Sequence, residues 1–507
     1  MNKSSLATKT TRSAAWLFGQ GFITNLIGIV TAAILARQLD PKDFGLVALA
    51  SVILTLFFAF GKATVGNYII YDRKEGREAR VQAAFWLNMT MVLGIFLIFL
   101  PFSKAIAIFY NETLLQPVLL VILIRFILGQ ISIVPDALIK RELDYRLLVV
   151  RDSALQFISA FLGVGMALTG WGVWSLIVPG VVVTIPRAIL VMWMARWFPK
   201  LEFGLQYWRE IFAYMRSLIG TTLLQALGND GDSLVIGKLI GSGALGIYDR
   251  AWRTSNLITQ NLVWVIADVA MPSLSALKSR PEAMREAYHR MIRFLAIIAF
   301  PLLIGLFVVA DEFVLLLYGP KWVAVVLPLR ILIIFTLQRA IGSPVGVVFN
   351  VMGRPDIGFK MNLVMLPLYF AAILVGASSG INGVAIAVTF IRTLGGFTAV
   401  YLACRLIQLS FWEVMRSLLP PLEISLLMAA TVYGVKLLMS SLFSLPVVVN
   451  LLIYVSVGGM VYIILLLTLF NRQLEEILFA VDSFSARVGN RLRVWLRREK
   501  RNAEAGI

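Results

Sequence analysis

"LLQALGNDGDSLVIGKLIG", from Leu223 to Gly241, is apolar enough to cross a bilayer, yet Asp230 and Asp232 sit near its middle. Two readings compete. Asp-Gly-Asp is the pattern of a metal site in enzymes that transfer sugars from nucleotides, where it lies in a loop after a strand of a soluble domain. Alternatively, the carboxylates are charges inside a membrane helix, each costing about 2.5–3.5 kcal/mol at the helix centre. The surroundings decide. The 507-residue chain is 59% hydrophobic and 15% charged, with mean hydropathy +0.84. Soluble domains hold about 45–50% apolar and about 25% charged residues. The apolar excess runs along the whole chain, and no polar stretch is long enough for a nucleotide-binding domain. The stretch is a span, and the chain is an all-α polytopic membrane protein.

A span needs about 20 mostly apolar residues. About fourteen are expected, at roughly 13–36, 43–63, 81–102, 114–135, 153–170, 172–195, 216–239, 244–271, 292–317, 322–349, 360–378, 381–404, 422–440 and 446–470. Tight turns join several of them: "LTGWGVW" (168–174), "GSGALG" (241–246), "YGPKW" (318–322) and "ASSGINGV" (377–384). With the N-terminus inside, the opposite face receives only Arg37, Lys42, Lys104, Lys238, Lys321 and Lys436, and the other loop and tail cations fall on the cytoplasmic side. That asymmetry obeys the positive-inside rule and places both termini in the cytoplasm.

"ILARQLDPKDFGLV" (34–47) aligns without gaps on "VIGKLIGSGALGIY" (235–248), at an offset of 201 residues. Arg37 matches Lys238, and Gly45 matches Gly246. The offset spans six helices, an even number, so the two halves share one orientation and are related by an axis along the membrane normal. The expected organisation is two six-helix lobes, 1–200 and 201–410, two additional helices in 411–471, and a cytoplasmic tail, 472–507. In the tail, apolar residues recur at helical spacing over 474–501 and end in an arginine-rich run, as in a helix lying on an anionic leaflet.

The net charge of +18 is explained by cytoplasmic loops without invoking nucleic acid. One cysteine, Cys404, and one histidine, His289, exclude an intrachain disulfide and a histidine-rich metal site. No cleaved secretory signal is expected, because Met1–Arg12 is polar.

Charges inside spans must face a bundle interior or a wet cavity. Lys62, Arg125, Arg250, Arg253, Arg339 and Arg392 form the candidate set, and most intramembrane charges here are cations. A cavity lined this way suits a diphosphate or an acidic sugar. Arg187 and Arg330 lie near span ends and can snorkel to the interface. Asp230, Asp232 and Asp268 are either counter-charges to the arginines or points where a coupling proton or sodium ion binds. At the repeat offset, Asp230 and Asp232 face the uncharged Ile29 and Thr31. No cofactor or resident metal is expected.

The opening "RSAAWLFGQGFITNLIGIVTAAILARQLDPKDFGLVALA" (12–50), "PDALIKRELDYRLL" (135–148), "WGVWSLIVPG" (171–180) and "DSLVIGKLIGSGALGIYDRAWR" (232–253) together carry a family likeness. The chain resembles the polysaccharide-transporter branch of the multidrug/oligosaccharidyl-lipid/polysaccharide exporter superfamily, especially the Wzx-type repeat-unit flippases. That resemblance implies a fourteen-span fold in the bacterial inner membrane and movement of an undecaprenyl-diphosphate-linked oligosaccharide. It implies membrane lipids, a polysaccharide polymerase and export proteins as partners, and a substrate-binding role for Lys62, Arg250 and Arg253. Arg125, Arg339 and Arg392 rest on their charge alone. A cation-coupled multidrug exporter shares this fold but favours an acidic cavity. A glycan-polymerising enzyme would need a large extracytoplasmic loop, and none is seen.

Overall fold

The computed structural model describes residue 21 and residues 24–58, 64–71, 77–141, 145–442 and 445–469. Its regular elements are helices, with no strand among the described residues. They run α1 (24–38), α2 (Pro41–Phe58), α3 (Thr64–Tyr71), α4 (Arg77–Tyr110), α5 (Leu115–Gln130), α6 (Ile133–Arg141), α7 (Tyr145–Leu168), α8 (Trp174–Ala195) and α9 (Leu205–Leu239). There follow α10 (Ser242–Ala276), α11 (Pro281–Val308), α12 (Ala310–Leu317), α13 (Val326–Gly342), α14 (Val345–Val351), α15 (Pro355–Ala377), α16 (Gly380–Leu406), α17 (Phe411–Leu442) and α18 (Val447–Leu469).

Each of the expected spans overlaps described helix, the first and second only in part; the fourth is divided between α5 and α6, the ninth between α11 and α12, and the tenth between α13 and α14. Nine helices among the described residues are long and apolar enough to cross a membrane, or ten if the bent pair α5–α6 is one span. Helices α9 and α10 are outside that set, because Asp230, Asp232, Asp249, Arg250 and Arg253 and their amide neighbours hold down their hydropathy. The four tight turns read from the sequence are turns here, and each carries a positive-φ glycine: Gly170 and Gly172, Gly241, Gly319, and Gly380. The tail from 470 onward and Lys62 lie outside the described residues.

Two compact units emerge from the packing. One comprises residues up to 257 with 314–335 and 356–395; the other comprises 258–313, 336–355 and residues from 396 onward. In the second unit α11, α17 and α18 pack together through Val309, Val432 and Tyr454. Lys436 on α17 is fastened there to Asp311 (2.9 Å) and Glu312 (3.0 Å) at the start of α12.

The first unit contains the repeat. Helix α1 ends at 38 and α9 at 239; α2 begins at 41 and α10 at 242, so the boundaries keep the offset read from the sequence. At the start of α2, Pro41 occupies the first helical position, and the Asp43 carboxylate accepts from the Asp40 amide at 3.2 Å. The two equivalent turns press on each other reciprocally. A Cβ at Gly45 would lie 1.7 Å from the carbonyl oxygen of Ser242, and one at Gly246 would lie 1.8 Å from that of Pro41. Only glycine permits this approach at either position. The matched cations also do equivalent work: Arg37 donates to the carbonyl of Leu316 near the end of α12, and Lys238 to that of Phe109 near the end of α4. Both meet carbonyls that a helix leaves unpaired at its C-terminus. Lys42 and Ser242 share Glu112, and Lys321 pairs with Asp40 at 3.0 Å.

Gly45→Ala must therefore push the starts of α2 and α10 apart. Overpacking of this kind costs about 1–3 kcal/mol, so the variant should unfold at a lower temperature than the parent in detergent. Gly243→Ala is the control, because a Cβ there meets nothing within 4 Å. Equal thermal stability of Gly45→Ala and Gly243→Ala would contradict the contact.

Candidate functional site

Within the first unit, α1, α2, α5, α7, α8 and α10 surround a cavity of about 670 Å³. Four arginines line it, Arg125, Arg187, Arg250 and Arg253, against two aspartates, Asp152 and Asp249. Thr24, Thr31, Gln156, Ser159, Ser175 and Thr184 add uncharged polar groups. The lining is thus cationic overall, with neutral hydrogen-bonding groups between the charges.

On α10, residues 249, 250 and 253 fall on one side because positions three and four apart are neighbours on a helix. The Arg253 Nε donates to both oxygens of Asp249, at 2.9 and 2.8 Å, and an Arg250 terminal nitrogen reaches the same carboxylate at 2.8 Å. Arg250 is packed over the Phe44 ring, 4.6 Å from its centroid, and its side chain is 12% exposed. Arg253 is 59% exposed, and among the described residues neither of its terminal nitrogens has a hydrogen-bond partner. One carboxylate therefore steadies two cations, and Arg253 presents its fork to the cavity.

On the α5–α8 side, Arg187 reaches Asp136 (3.2 Å) and stands 3.7 Å from Asp152. Arg151 is buried between the same two carboxylates, at 2.8 Å from each. The fifth expected span, 153–170, leaves Arg151 just outside it, and Arg187 is expected near a span end; in the structure Arg151 is inside α7 and Arg187 lines the cavity. The signal for both was available in Asp136 and Asp152, two carboxylates on either side of Arg151. Arg125, on α5, lines the same cavity as Arg187. Among the described residues it makes no hydrogen bond or ion pair.

The cavity brings together Arg125, Arg250 and Arg253 of the candidate set. Arg392 stands elsewhere in the unit, stacked against Trp252, Phe335 and Tyr369 at 4.8, 5.5 and 4.8 Å. It also donates to the Gly228 and Asn229 carbonyls and to the Tyr369 hydroxyl at 2.8, 3.1 and 2.7 Å. These contacts tie α16 to α9, α10, α13 and α15. Arg339 is exposed on α13 in the second unit, and the side chain of Asp268 on α10 lies outside the described residues.

Asp230 and Asp232 lie inside the unbroken α9. Residues two apart on a helix do not face each other, so the two carboxylates diverge rather than converge on a metal. Asp232 is 2% exposed and accepts from the Tyr248 hydroxyl at 2.7 Å. Asp230 is half-buried, with no hydrogen bond or ion pair among the described residues. The glycine between them is a packing residue: a Cβ at 231 would lie 2.6 Å from the Phe370 ring of α15. Among the described residues no group of three or more acidic, histidine or cysteine side chains could hold a metal ion.

Comparison with known proteins agrees with this architecture. The chain is 26% identical over 491 residues to the teichuronic acid biosynthesis protein TuaB of Bacillus subtilis, covering 94% of this chain and 98% of that one. It is 25% identical over 428 residues to the lipopolysaccharide biosynthesis protein WzxC of Escherichia coli, covering 83% and 86%. Among solved structures, the lipid II flippase MurJ in an inward closed conformation has the same fold, with TM-score 0.75 at 13% identity over 90% of this chain and 99% of that one. Residues 34–327, more than half of the sequence and all of the cavity's charged groups, match the model of the family described as polysaccharide biosynthesis protein, and the chain belongs to that family.

Proposed function

We propose that this protein is a flippase that carries an undecaprenyl-diphosphate-linked oligosaccharide repeat unit across the bacterial inner membrane by alternating access. The unit would serve exopolysaccharide, capsule or O-antigen assembly, with both termini of the protein in the cytoplasm. The cavity's charge carries this reading: four arginines against two aspartates, within a family of polysaccharide biosynthesis proteins. A guanidinium matches a phosphate or carboxylate through paired N–H donors, and the hydroxyl and amide groups between the arginines suit sugar hydroxyls. A cationic drug would meet repulsion here, which disfavours a multidrug exporter. No bond of the substrate is made or broken in this scheme, so the protein acts as a transporter rather than an enzyme. A polysaccharide polymerase and export proteins would take the unit onward.

Alternating access needs paired helix ends that close and part. The reciprocal approach of Gly45 and Gly246 supports that use of the repeat, because it joins two equivalent helix starts. For coupling to a proton or sodium gradient, Asp230 is the better candidate of the two α9 carboxylates, being without a hydrogen-bond partner among the described residues where Asp232 is held by Tyr248.

Deleting the gene should cause an undecaprenyl-diphosphate-linked repeat unit to accumulate on the cytoplasmic leaflet. Unchanged lipid-linked sugars with altered drug sensitivity would overturn the reading. A hydrogen bond to a charged group contributes about 1.5–3 kcal/mol. Arg253→Ala should therefore reduce transport by at least about tenfold in complementation, with normal insertion, and full rescue would remove Arg253 from the site. Asp230→Asn should make transport insensitive to collapse of the coupling gradient, whereas Asp232→Asn should keep that sensitivity; the reverse pattern would transfer the coupling role to Asp232.

A further inference from the structure

Three of the four cavity arginines carry carboxylate partners: Arg187 has Asp136 and Asp152, and Arg250 and Arg253 share Asp249. Arg125 has none among the described residues. Its place is nevertheless specific. The guanidinium lies flat against α8 at Gly180, where a Cβ would fall 2.5 Å from its central carbon, 2.5 Å from one terminal nitrogen and 2.9 Å from Nε. Every residue type but glycine would occupy the space the guanidinium fills. The absence of a side chain at 180 thus acts as a seat for the one cavity arginine that no carboxylate holds.

The electrostatics make the seat consequential. Arg125 and Arg187 are like charges lining one cavity from α5 and α8, and like charges in a partly desolvated site cost more than in water. An oxyanion entering the cavity offsets that like charge. It also meets a guanidinium whose donors are all free among the described residues, whereas Arg253 offers its terminal nitrogens and keeps its Nε on Asp249. At Arg187 an incoming anion competes with Asp136, and at Arg250 with Asp249.

We propose that Gly180 is a positioning residue that seats Arg125 as the cavity's principal receiver of a substrate oxyanion, a phosphate or a sugar carboxylate. The inference rests on the reading of this cavity as the substrate site. It predicts that a methyl group at 180 displaces Arg125, the far end of a flexible side chain, without disturbing the packing of α8.

The test uses purified full-length protein in lipid nanodiscs and calorimetric binding of two probes. Geranyl diphosphate represents the phosphate source, and a uronic-acid disaccharide represents the carboxylate source. G180A should weaken binding of one probe by at least about tenfold, the loss expected for one charge-assisted contact. In an R125A background, G180A should have no further effect, because the two changes act on one contact. In an R125K background it should also be silent, since the ammonium is slimmer than the guanidinium. The probe whose binding responds identifies which oxyanion Arg125 receives. G165A on α7 is the packing control, because a Cβ there meets nothing within 4 Å; it should bind as the parent does. Parental affinity in G180A, or a loss of equal size in the R125A background, would overturn the positioning role while leaving the cavity as the substrate site. Parent protein that binds neither probe would overturn the reading of the cavity and this inference with it.

Discussion

A guanidinium inside a membrane-spanning bundle must be given protein partners or water, because lipid offers neither. The rest of this structure follows from that constraint. Arg125, Arg187, Arg250 and Arg253 come from three helices and converge on one cavity. The carboxylates Asp136, Asp152 and Asp249 are distributed so that most of the positive charge is steadied without being cancelled. Removing one partner from a buried ion pair is more damaging than replacing the pair, so Arg151 between Asp136 and Asp152 acts as a brace for α6 and α7. Arg253 and Arg125 keep unpartnered donors among the described residues that a ligand can reach.

The molecule uses the same side chain in two ways. Arg392 is enclosed by three aromatic rings, two carbonyls and a tyrosine hydroxyl, and its bonds fasten five helices. Cation–π contacts shielded from water are worth about 2 kcal/mol, so this cluster is a fastening. Arg125 has a seat in place of partners. One arginine stiffens the scaffold, and the other is left with unspent donors. The reciprocal glycine contact between the starts of α2 and α10 adds a second kind of constraint, because two equivalent backbones touch where no side chain could intervene.

Much of this was legible in residue patterns. Apolar run length located the helices, and the second span, expected from 43, begins at Pro41. A modest alignment at an offset of 201 residues paired two equivalent turns, and the structure brings them into contact. The intramembrane position of Arg125, Arg250 and Arg253 was enough to nominate them. What escaped has a common cause: pairing across helices is invisible to periodicity. Arg187 looked like an interfacial residue until Asp136 and Asp152 were seen beside it. The Asp-Gly-Asp pattern suggested converging ligands, whereas helical geometry turns the two carboxylates apart and gives the glycine to Phe370. The polarity that makes α9 and α10 useful is also what weakens their signature as spans.

The central claim is that this cationic cavity holds an anionic, lipid-linked glycan. Native mass spectrometry of the protein released from its own membranes tests that claim directly. The account predicts an adduct with the mass of a polyprenyl-diphosphate-linked oligosaccharide, retained by the parent and lost from an Arg125→Ala, Arg253→Ala double variant. An adduct retained equally by both proteins, or parent protein that carries only bulk phospholipid, would contradict it.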